Sequence, residues 1–260
     1  MLTLAEIKKA FPEMVHNRKR GMLREYLQYH ILLAIYESKY ASKLVFLWGT
    51  CLRLCYNTPR FSEDLDFDNR GMTPESFDDL DHIIEVALRK IGLDAHMNTV
   101  FKWAYHCHIR IPKLLFEYGL SGYEEEKILI QIDTVPQPIV YEYRHFSFAG
   151  FGIKAEGIIT PPDVLLSQKI CAAYQRKRKK WRDFFDIMFL ISSGVRPHYE
   201  YLLKTLHVST PEMLHDFVVQ ENVSIDFSSL VHDLEPFLFE IRDGDLVRNF
   251  PKFMENFNWK

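Results

Sequence analysis

A strand, turn, helix and strand near residue 45 constrain the fold of this chain more than any other stretch. Residues 45–68 read VFLWGTCLRLCYNTPRFSEDLDFD. The apolar start predicts a buried strand, Gly49 permits a tight turn, and Thr50 adds a hydroxyl where a short helix begins. Because the free N–H groups and the dipole of a helix start favour an anion, we predict that Gly49 and Thr50 bind phosphate.

Acidic residues follow on the next predicted strand. Since side chains alternate along a strand, Asp64, Asp66 and Asp68 share one face, and Leu65 and Phe67 take the other. Neighbouring carboxylates repel each other unless a cation lies between them, and their oxygens suit Mg²⁺. Each element alone is common as a turn or a solvated strand face. Their ordered combination favours a site for a nucleoside triphosphate and a divalent metal.

The composition is that of a folded globular protein. The chain has 260 residues, 47% of them hydrophobic and 14% aromatic, enough for one large or two modest domains. A net charge of −3 gives no overall electrostatic argument for nucleic-acid binding, which therefore depends on local patches. We find no membrane-spanning stretch and no signal peptide, and the 4 cysteines show no metal or disulfide pattern. These features predict a cytoplasmic protein with no membrane partner.

The periodicity of apolar residues changes along the chain. Residues 3–40 are predicted to be helical, and a helix capped by Thr73 is predicted over residues 73–91. Alternation over residues 94–148 predicts strands that join the first two in one sheet. The following helical pattern begins at Thr160, which we interpret as the start of a capping box.

These elements predict an α+β fold with two domains. The first covers residues 1–155, in which a mixed β-sheet is flanked by helices. The second covers residues 156–260 and is helical. The predicted boundary is the point at which the alternating pattern gives way to the helical one.

Asp133 is a third carboxylate that could join Asp64 and Asp66. It ends the apolar strand KILIQID, on the face opposite the isoleucines. If the two strands are neighbours, the carboxylates converge as in a two-metal site, where Asp133 completes one metal and helps to deprotonate an attacking hydroxyl. Alternatively, Asp133 only opens the turn that follows. His106 and His108 share a strand face, but without a third ligand they are better interpreted as polar sheet residues.

Charged residues also interrupt the apolar helices of the second half. Lys169 lies on an apolar helix face, from which it either reaches solvent or contacts phosphate. Asp183 and Asp186 stand three positions apart and project from one side of a later helix. Compensation of the helix dipole explains Asp183 better than Asp186, which is surrounded by apolar residues.

The densest basic cluster of the chain lies between these two helices. Such a run is usually a solvated loop, but it could bind a nucleic-acid backbone and offer a tryptophan for base stacking. We call it the basic cluster, and it consists of Arg176, Lys177, Arg178, Lys179, Lys180, Trp181 and Arg182.

Two motifs carry a family resemblance that covers about residues 20–195. The run FLWGTCLRLCYNTPRFSEDLDFD resembles the first motif of nucleotidyltransferase toxins of the AbiEii/AbiGii type, with its glycine-containing turn, short helix and Arg-Phe-Ser-x-Asp-x-Asp segment. The run DVLLSQKICAAYQRKRKKWRDFFDIMFL resembles the second hallmark, a helical lysine followed by Arg-Asp-x-x-Asp. Trp48 departs from the pattern, because a glycine is common there.

The resemblance implies a polymerase-β-like nucleotidyltransferase core with an active site completed by the helical domain. It implies transfer of a nucleotide from an NTP with release of pyrophosphate, using Mg²⁺, with two ions expected. The implied acceptor is RNA, which we interpret as the 3′ end of tRNA, and the implied partner is a cognate antitoxin protein. Carried over by position, Gly49 and Thr50 would bind phosphate, and Asp64 and Asp66 would bind metal. The residues matched to nucleotide binding are Arg60, Ser62, Lys169 and Asp183. Lys169 and Asp186 would also support catalysis.

Two other functions stay open at the level of sequence. One is a catalytically inactive nucleotide- or RNA-binding module that uses the basic cluster. The other is a nucleotidyltransferase that modifies a protein or a small molecule. Fold analogy does not choose among acceptors.

Overall fold

The chain divides into two compact units, as seen in a computed structural model that describes residues 1–101, 104–230 and 236–260. The sheet unit comprises Met1–Asn57, Phe61–Gln137 and Tyr143–Ile159. The helical unit comprises Thr58–Arg60, Pro138–Glu142 and Thr160–Lys260. Two short segments from the predicted first domain therefore belong to the helical unit, which periodicity alone does not indicate.

The described part of the sheet unit contains a mixed seven-stranded sheet. Its strands are β1 (Leu44–Leu47), β2 (Leu65–Asn69), β3 (His96–Phe101), β4 (Tyr105–Ile111), β5 (Ile128–Val135), β6 (Arg144–Gly150) and β7 (Ile153–Ile159). Their spatial order is β3-β4-β5-β2-β1-β7-β6. Strand β2 is antiparallel to β1 and parallel to β5, while β4 is antiparallel to β5. The predicted α+β class with a mixed sheet is confirmed.

Helices flank this sheet. They are α1 (Leu4–Lys8), α2 (Lys19–Tyr36), α3 (Trp48–Tyr56), α4 (Pro74–Lys90) and α5 (Leu114–Glu117). The predicted helical character of residues 3–40 is confirmed by α1 and α2, which are separated by Pro12 and a 3-10 turn at Glu13–Val15. The predicted start of α4 is confirmed, since Thr73 and Ser76 form a capping box.

Aromatic rings fill the space between α2 and the sheet. The ring of Tyr36 on α2 stacks on Phe148 and meets the edge of Phe67. Phe46 and Phe67 are directly paired across β1 and β2, so both point to this face. Each buried ring contributes roughly 1.5–3 kcal/mol. Because side chains alternate, Asp66 lies on the opposite face of β2.

The helical unit is built around α6 and α7. Its helices are α6 (Pro162–Gln175), α7 (Trp181–Ser192), α8 (Tyr199–Leu206), α9 (Pro211–Asn222), α10 (Phe227–Leu230), α11 (Gly244–Arg248) and α12 (Phe250–Met254). Rings of Phe184, Phe227 and Phe250 contact one another in its core. None of the helices in the described part of the chain is long and apolar enough to cross a membrane.

The start of α6 differs from the prediction. The N-cap is Pro161, and no side chain caps the helix. The predicted capping box is therefore wrong. The hydroxyl of Thr160 instead hydrogen-bonds the hydroxyl of Tyr141 at 3.0 Å, within the helical unit.

Candidate functional site

The end of β1 places a helix start beside the first carboxylates. Helix α3 begins immediately after Leu47, whose apolar side chain makes no capping hydrogen bond to the start of the helix. Leu47 is paired with Asp66 in the antiparallel register of β1 and β2. The start of α3, which favours an anion, therefore lies at the same end of the two paired strands as Asp66, whose carboxylate favours a cation.

Trp48 has the backbone conformation that explains why a glycine is common at this turn. Its φ is 61°, in the left-handed region that residues with a β-carbon rarely adopt. The turn thus keeps the glycine-like path of the chain at a cost of about 1–2 kcal/mol. The helix also begins at Trp48, two residues before the predicted start.

Gly49 and Thr50 are both buried in the first turn of α3. The Thr50 hydroxyl donates a hydrogen bond to the backbone carbonyl of Asp64. This contact ties the helix start to the residue that begins the Asp64-x-Asp66 pair. The phosphate-binding role of Gly49 and Thr50 stays a prediction, and the Thr50 hydroxyl has a protein partner in this structure.

Gln28 fixes the segment that leads into Asp64, a role that we did not predict from the sequence. Its side-chain amide donates to the carbonyls of Ser62 and Glu63 at 3.1 and 2.9 Å. Gln28 is 1% exposed on α2. A buried amide within an apolar helix needs backbone partners, and this was the signal available in the sequence.

Asp133 lies beside Asp66, as the conditional prediction required. The two residues are directly paired in the parallel register of β2 and β5, which confirms that the strands are neighbours. The Asp133 carboxylate is bonded to His106 Nδ1 at 2.7 Å and to Gln131 Nε2 at 2.7 and 2.8 Å. Its role in catalysis stays a prediction.

The convergence of Asp64, Asp66 and Asp133 on a metal ion stays a prediction. Among the described residues, no three His, Cys, Asp or Glu side chains are gathered closely enough to hold a metal ion. A Mg²⁺ site commonly uses one or two carboxylates together with substrate phosphates. The oxygen donors of Asp64 and Asp66 fit that kind of site.

Asp68 has a structural role although it shares the predicted face. It is 3% exposed, and its carboxylate pairs with Arg70 Nε at 3.0 Å. The backbone N–H of Gln137 donates to its other oxygen at 3.1 Å. These contacts fasten the end of β2 to the chain after β5.

Lys169 lies in the middle of a buried ion network in the helical unit. Its ammonium is 3.2 Å from Asp183 and 2.8 Å from Asp186. The guanidinium of Arg60 forms two hydrogen bonds to Asp186, at 2.7 and 2.6 Å, and Arg176 pairs with Asp183 at 2.8 Å. Lys169 is 3% exposed, so the interpretation of a lysine that reaches solvent is wrong. Its contact with a triphosphate stays a prediction.

The electrostatics of Asp186 follow from this network. Burial raises the pKa of Asp186, but the adjacent charges and hydrogen bonds of Arg60 and Lys169 outweigh burial and hold the pKa below its ordinary value. Asp186 is therefore a stabilised carboxylate, as a residue deep in an apolar helix must be.

Two residues predicted to contact ligands are occupied by protein contacts. Arg60 is 2% exposed, and its guanidinium lies 5.8 Å from the ring centre of Trp181. Trp181 is 7% exposed and contacts Phe185 and Phe237. The expectation that Trp181 is available for base stacking is therefore wrong, because its ring belongs to the core. The role of Arg60 at the nucleotide stays a prediction, and its fork with Asp186 gives it a structural partner.

Part of the basic cluster borders an open cavity of the helical unit. Lys177, Arg178 and Lys180 are exposed. The cavity has a volume of about 410 Å³ and is lined by Lys177, Arg178, Lys179, Ser224, Ile225, Asp226, Ser229 and Leu230. Its cations outnumber its single carboxylate, so the cavity favours anionic ligands.

Comparison with known proteins identifies the family and the fold. The profile of a family described as nucleotidyl transferase AbiEii toxin, type IV toxin–antitoxin system, matches residues 30–255. The fold is similar to that of JHP933 from Helicobacter pylori, with a TM-score of 0.54, 18% identity, and coverage of 90% of this chain and 91% of that chain. It is also similar to an H. pylori protein provisionally described as a nucleotidyltransferase, with a TM-score of 0.54, 17% identity, and coverage of 94% and 96%. No curated protein sequence matches this chain significantly.

Proposed function

This chain belongs to the AbiEii family of nucleotidyltransferase toxins of type IV toxin–antitoxin systems, and from that membership we propose that it transfers a nucleotide from an NTP to an RNA hydroxyl. The family and the nucleotidyltransferase class were both predicted from the two motifs and are confirmed. The nucleotide donor, the metal and the RNA acceptor are our proposal. The family implies an antitoxin partner, and we propose that the pair acts in the cytoplasm.

The observation that carries the proposal is the pairing of Leu47 with Asp66. It brings the uncapped start of α3 and the Asp64-x-Asp66 carboxylates to one end of β1 and β2. Phosphate oxygens would bind the N–H groups of the α3 start, near Gly49 and Thr50. Asp64 and Asp66 would hold Mg²⁺, which when bound neutralises charge on the triphosphate.

Buried contacts of the chain support this site. The Thr50 hydroxyl holds the backbone of Asp64, and the Gln28 amide holds the two residues before it. The backbone leading into the carboxylate pair is thus fixed before any ligand binds, which lowers the cost of ordering it. A second ion, if used, would draw on Asp133, which β5 places beside Asp66.

The basic cluster supports RNA as the acceptor. Two of its cations, Lys177 and Arg178, are exposed and line an open cavity of the helical unit. Contacts of lysine and arginine with phosphates supply most of the affinity for nucleic acid without reading its sequence. The 3′ end of tRNA is our proposed acceptor because it presents the terminal hydroxyl that such a transfer needs.

The deciding experiment is incubation with Mg²⁺, total RNA and each labelled NTP in turn. We expect the label to enter RNA, and Asp64→Asn or Asp66→Asn to lower the rate at least about 10²-fold, in the range of losses seen when one electrostatic contact to a reacting group is removed. The matched control is Asp94→Asn, whose side chain is 77% exposed, and it should keep the wild-type rate.

Each alternative gives a different result in the same experiment. Label in protein or in a small molecule, with none in RNA, would assign another acceptor. RNA binding without any incorporation, unchanged in the Asp64 and Asp66 variants, would support an inactive binding module.

A further inference from the structure

Three polar residues form a row across neighbouring strands of the sheet unit. His106 on β4 is directly paired with Asp133 on β5, and Asp133 is directly paired with Asp66 on β2. Paired residues of adjacent strands point to the same face of a sheet. The row therefore lies on the face opposite the aromatic core, the face that carries the proposed metal-binding carboxylates.

The middle carboxylate of this row is held by donors from one side. His106 Nδ1 and Gln131 Nε2 both lie 2.7 Å from Asp133 Oδ1, and Gln131 also lies 2.8 Å from Oδ2. An ionised carboxylate only accepts hydrogen bonds, so Nδ1 of His106 must carry the proton of this contact. The side chains of His106 and Asp133 are 28% and 23% exposed, which leaves them partly accessible while their contact is partly desolvated.

We propose that His106 is a positioning residue for the nucleotidyl transfer: its Nδ1–H, with the Gln131 amide, fixes the Asp133 carboxylate beside Asp66. The inference rests on the proposed function and deepens it, since it assigns a role to a residue that neither sequence motif contains. A carboxylate next to Asp66 would otherwise rotate away, because two adjacent negative charges repel each other. Partners of this kind fix the orientation of functional groups, and their removal typically costs about 10–100-fold in activity or affinity.

The neighbouring histidine supplies a matched control. His108 lies on the same strand and face, paired with Gln131 instead of a carboxylate. Its Nδ1 is buried and has no hydrogen-bond partner in the part of the chain that the structure describes. A change at His108 thus alters the same sheet face without touching Asp133 through a hydrogen bond.

The first test is the tautomer of His106, measured by ¹⁵N NMR at alkaline pH, where imidazole is neutral. We expect the proton on Nδ1 in the wild-type protein and its return to Nε2, the form preferred in free histidine, in Asp133→Leu. An Nε2 proton on His106 in the wild-type protein would overturn the proposal. This measurement needs no nucleotide, so its outcome is separate from that of the incorporation experiment.

The second test is steady-state kinetics of nucleotide transfer. His106→Leu should lower kcat about 10–100-fold while the KM for NTP changes little, because the nucleotide-binding groups stay in place. His106→Asn, whose amide N–H occupies nearly the position of Nδ1–H, should restore most of kcat, and His108→Leu should leave it unchanged. Wild-type kcat in a folded His106→Leu variant, or no rescue by asparagine, would contradict a positioning role.

Discussion

Arg60 and Asp186, 126 positions apart in the chain, form a bidentate salt bridge in the interior of the helical unit. The Arg60 Nε and Nη2 atoms lie 2.7 and 2.6 Å from the two oxygens of Asp186, and the side chains are 2% and 0% exposed. Thr58–Arg60 belong to this unit, and the backbone of Arg60 forms an antiparallel β-bridge with Leu238. The arginine of the first motif is thus a structural partner of the aspartate of the second.

Replacement of Asp186 by asparagine should strongly destabilise the helical unit. The change keeps the size of the side chain but leaves Arg60 and Lys169 buried without this compensating charge. Breaking a buried ion pair in this way costs about 3–5 kcal/mol in the free energy of unfolding. Urea unfolding followed by circular dichroism measures the change. Asp216→Asn, an exposed change on α9, should stay within about 0.5 kcal/mol of the wild type.

The stability conferred by Asp186 should disappear in acid. Its folded-state pKa lies below the ordinary 3.8, so folding favours the ionised form. That contribution is complete above the ordinary value and disappears as the pH falls through the lower folded-state pKa. The difference in unfolding free energy between the wild type and Asp186→Asn should therefore be constant from neutral pH to about pH 5 and shrink below pH 3.8. A difference that grows in acid would contradict this account.

Asp81 on α4 should have the opposite pH dependence. Burial raises its pKa from 3.8 to about 6, against the opposing hydrogen bonds of Thr99 and Cys107. Folding thus favours the protonated carboxyl. The stability that this carboxyl contributes in acid is lost as the pH rises through about 6. A shift of about two units corresponds to about 3 kcal/mol.

Asp81→Asn tests this directly because the amide cannot ionise. Relative to the wild type, the variant should gain up to about 3 kcal/mol in unfolding free energy between about pH 4 and about pH 7. The measurement is urea unfolding at both pH values. Asp94→Asn, in an exposed loop, should show no comparable gain, and equal gains for both variants would refute the assignment to Asp81.

Gly157 on β7 should tolerate no side chain, for reasons of packing alone. A β-carbon there would lie 2.6 Å from ring carbons of both Phe148 and Tyr36. Overpacking of this kind costs about 1–3 kcal/mol, so Gly157→Ala should lower the thermal midpoint. Gly122 has no atom within 4 Å of the corresponding position, and Gly122→Ala should be close to neutral. Equal stability of the two variants would contradict the packing between α2 and the sheet.

The sequence predicted those features that depend on local patterns. Alternation identified the buried and exposed faces of β5, and Asp64-x-Asp66 marked the strand that β1 pairs with. Thr73 was also predicted as the N-cap of α4 from the residues next to it. Each of these signals lies within one element, where the period of the backbone decides which side chains share a face.

What the sequence did not predict depends on contacts between distant segments. The fork of Arg60 with Asp186 and the hydrogen bond of His106 with Asp133 join different elements, so no spacing within either motif reveals them. The expectation for Trp181 was wrong for the same reason: a tryptophan within a run of cations looks exposed, but α7 turns its ring toward Phe185 and Phe237. Composition near a residue does not fix its burial when tertiary packing decides it.

The basic cluster should determine how RNA affinity depends on salt. Lys177 and Arg178 line the open cavity of the helical unit, so the double change to glutamate should weaken RNA binding by removing cations that neutralise phosphates. For every phosphate that is no longer neutralised, the slope of log affinity against log salt should fall by about 0.7–0.9. Filter binding between about 50 and 200 mM salt measures both quantities.

The matched control for this prediction changes the exposed Lys9 and Lys252 to glutamate, which alters the net charge equally. If the control reduced the slope as much, binding would follow net charge and not the cavity, because only the charge is common to the two variants. A smaller slope in the Lys177 and Arg178 variant alone would place the RNA backbone at this surface.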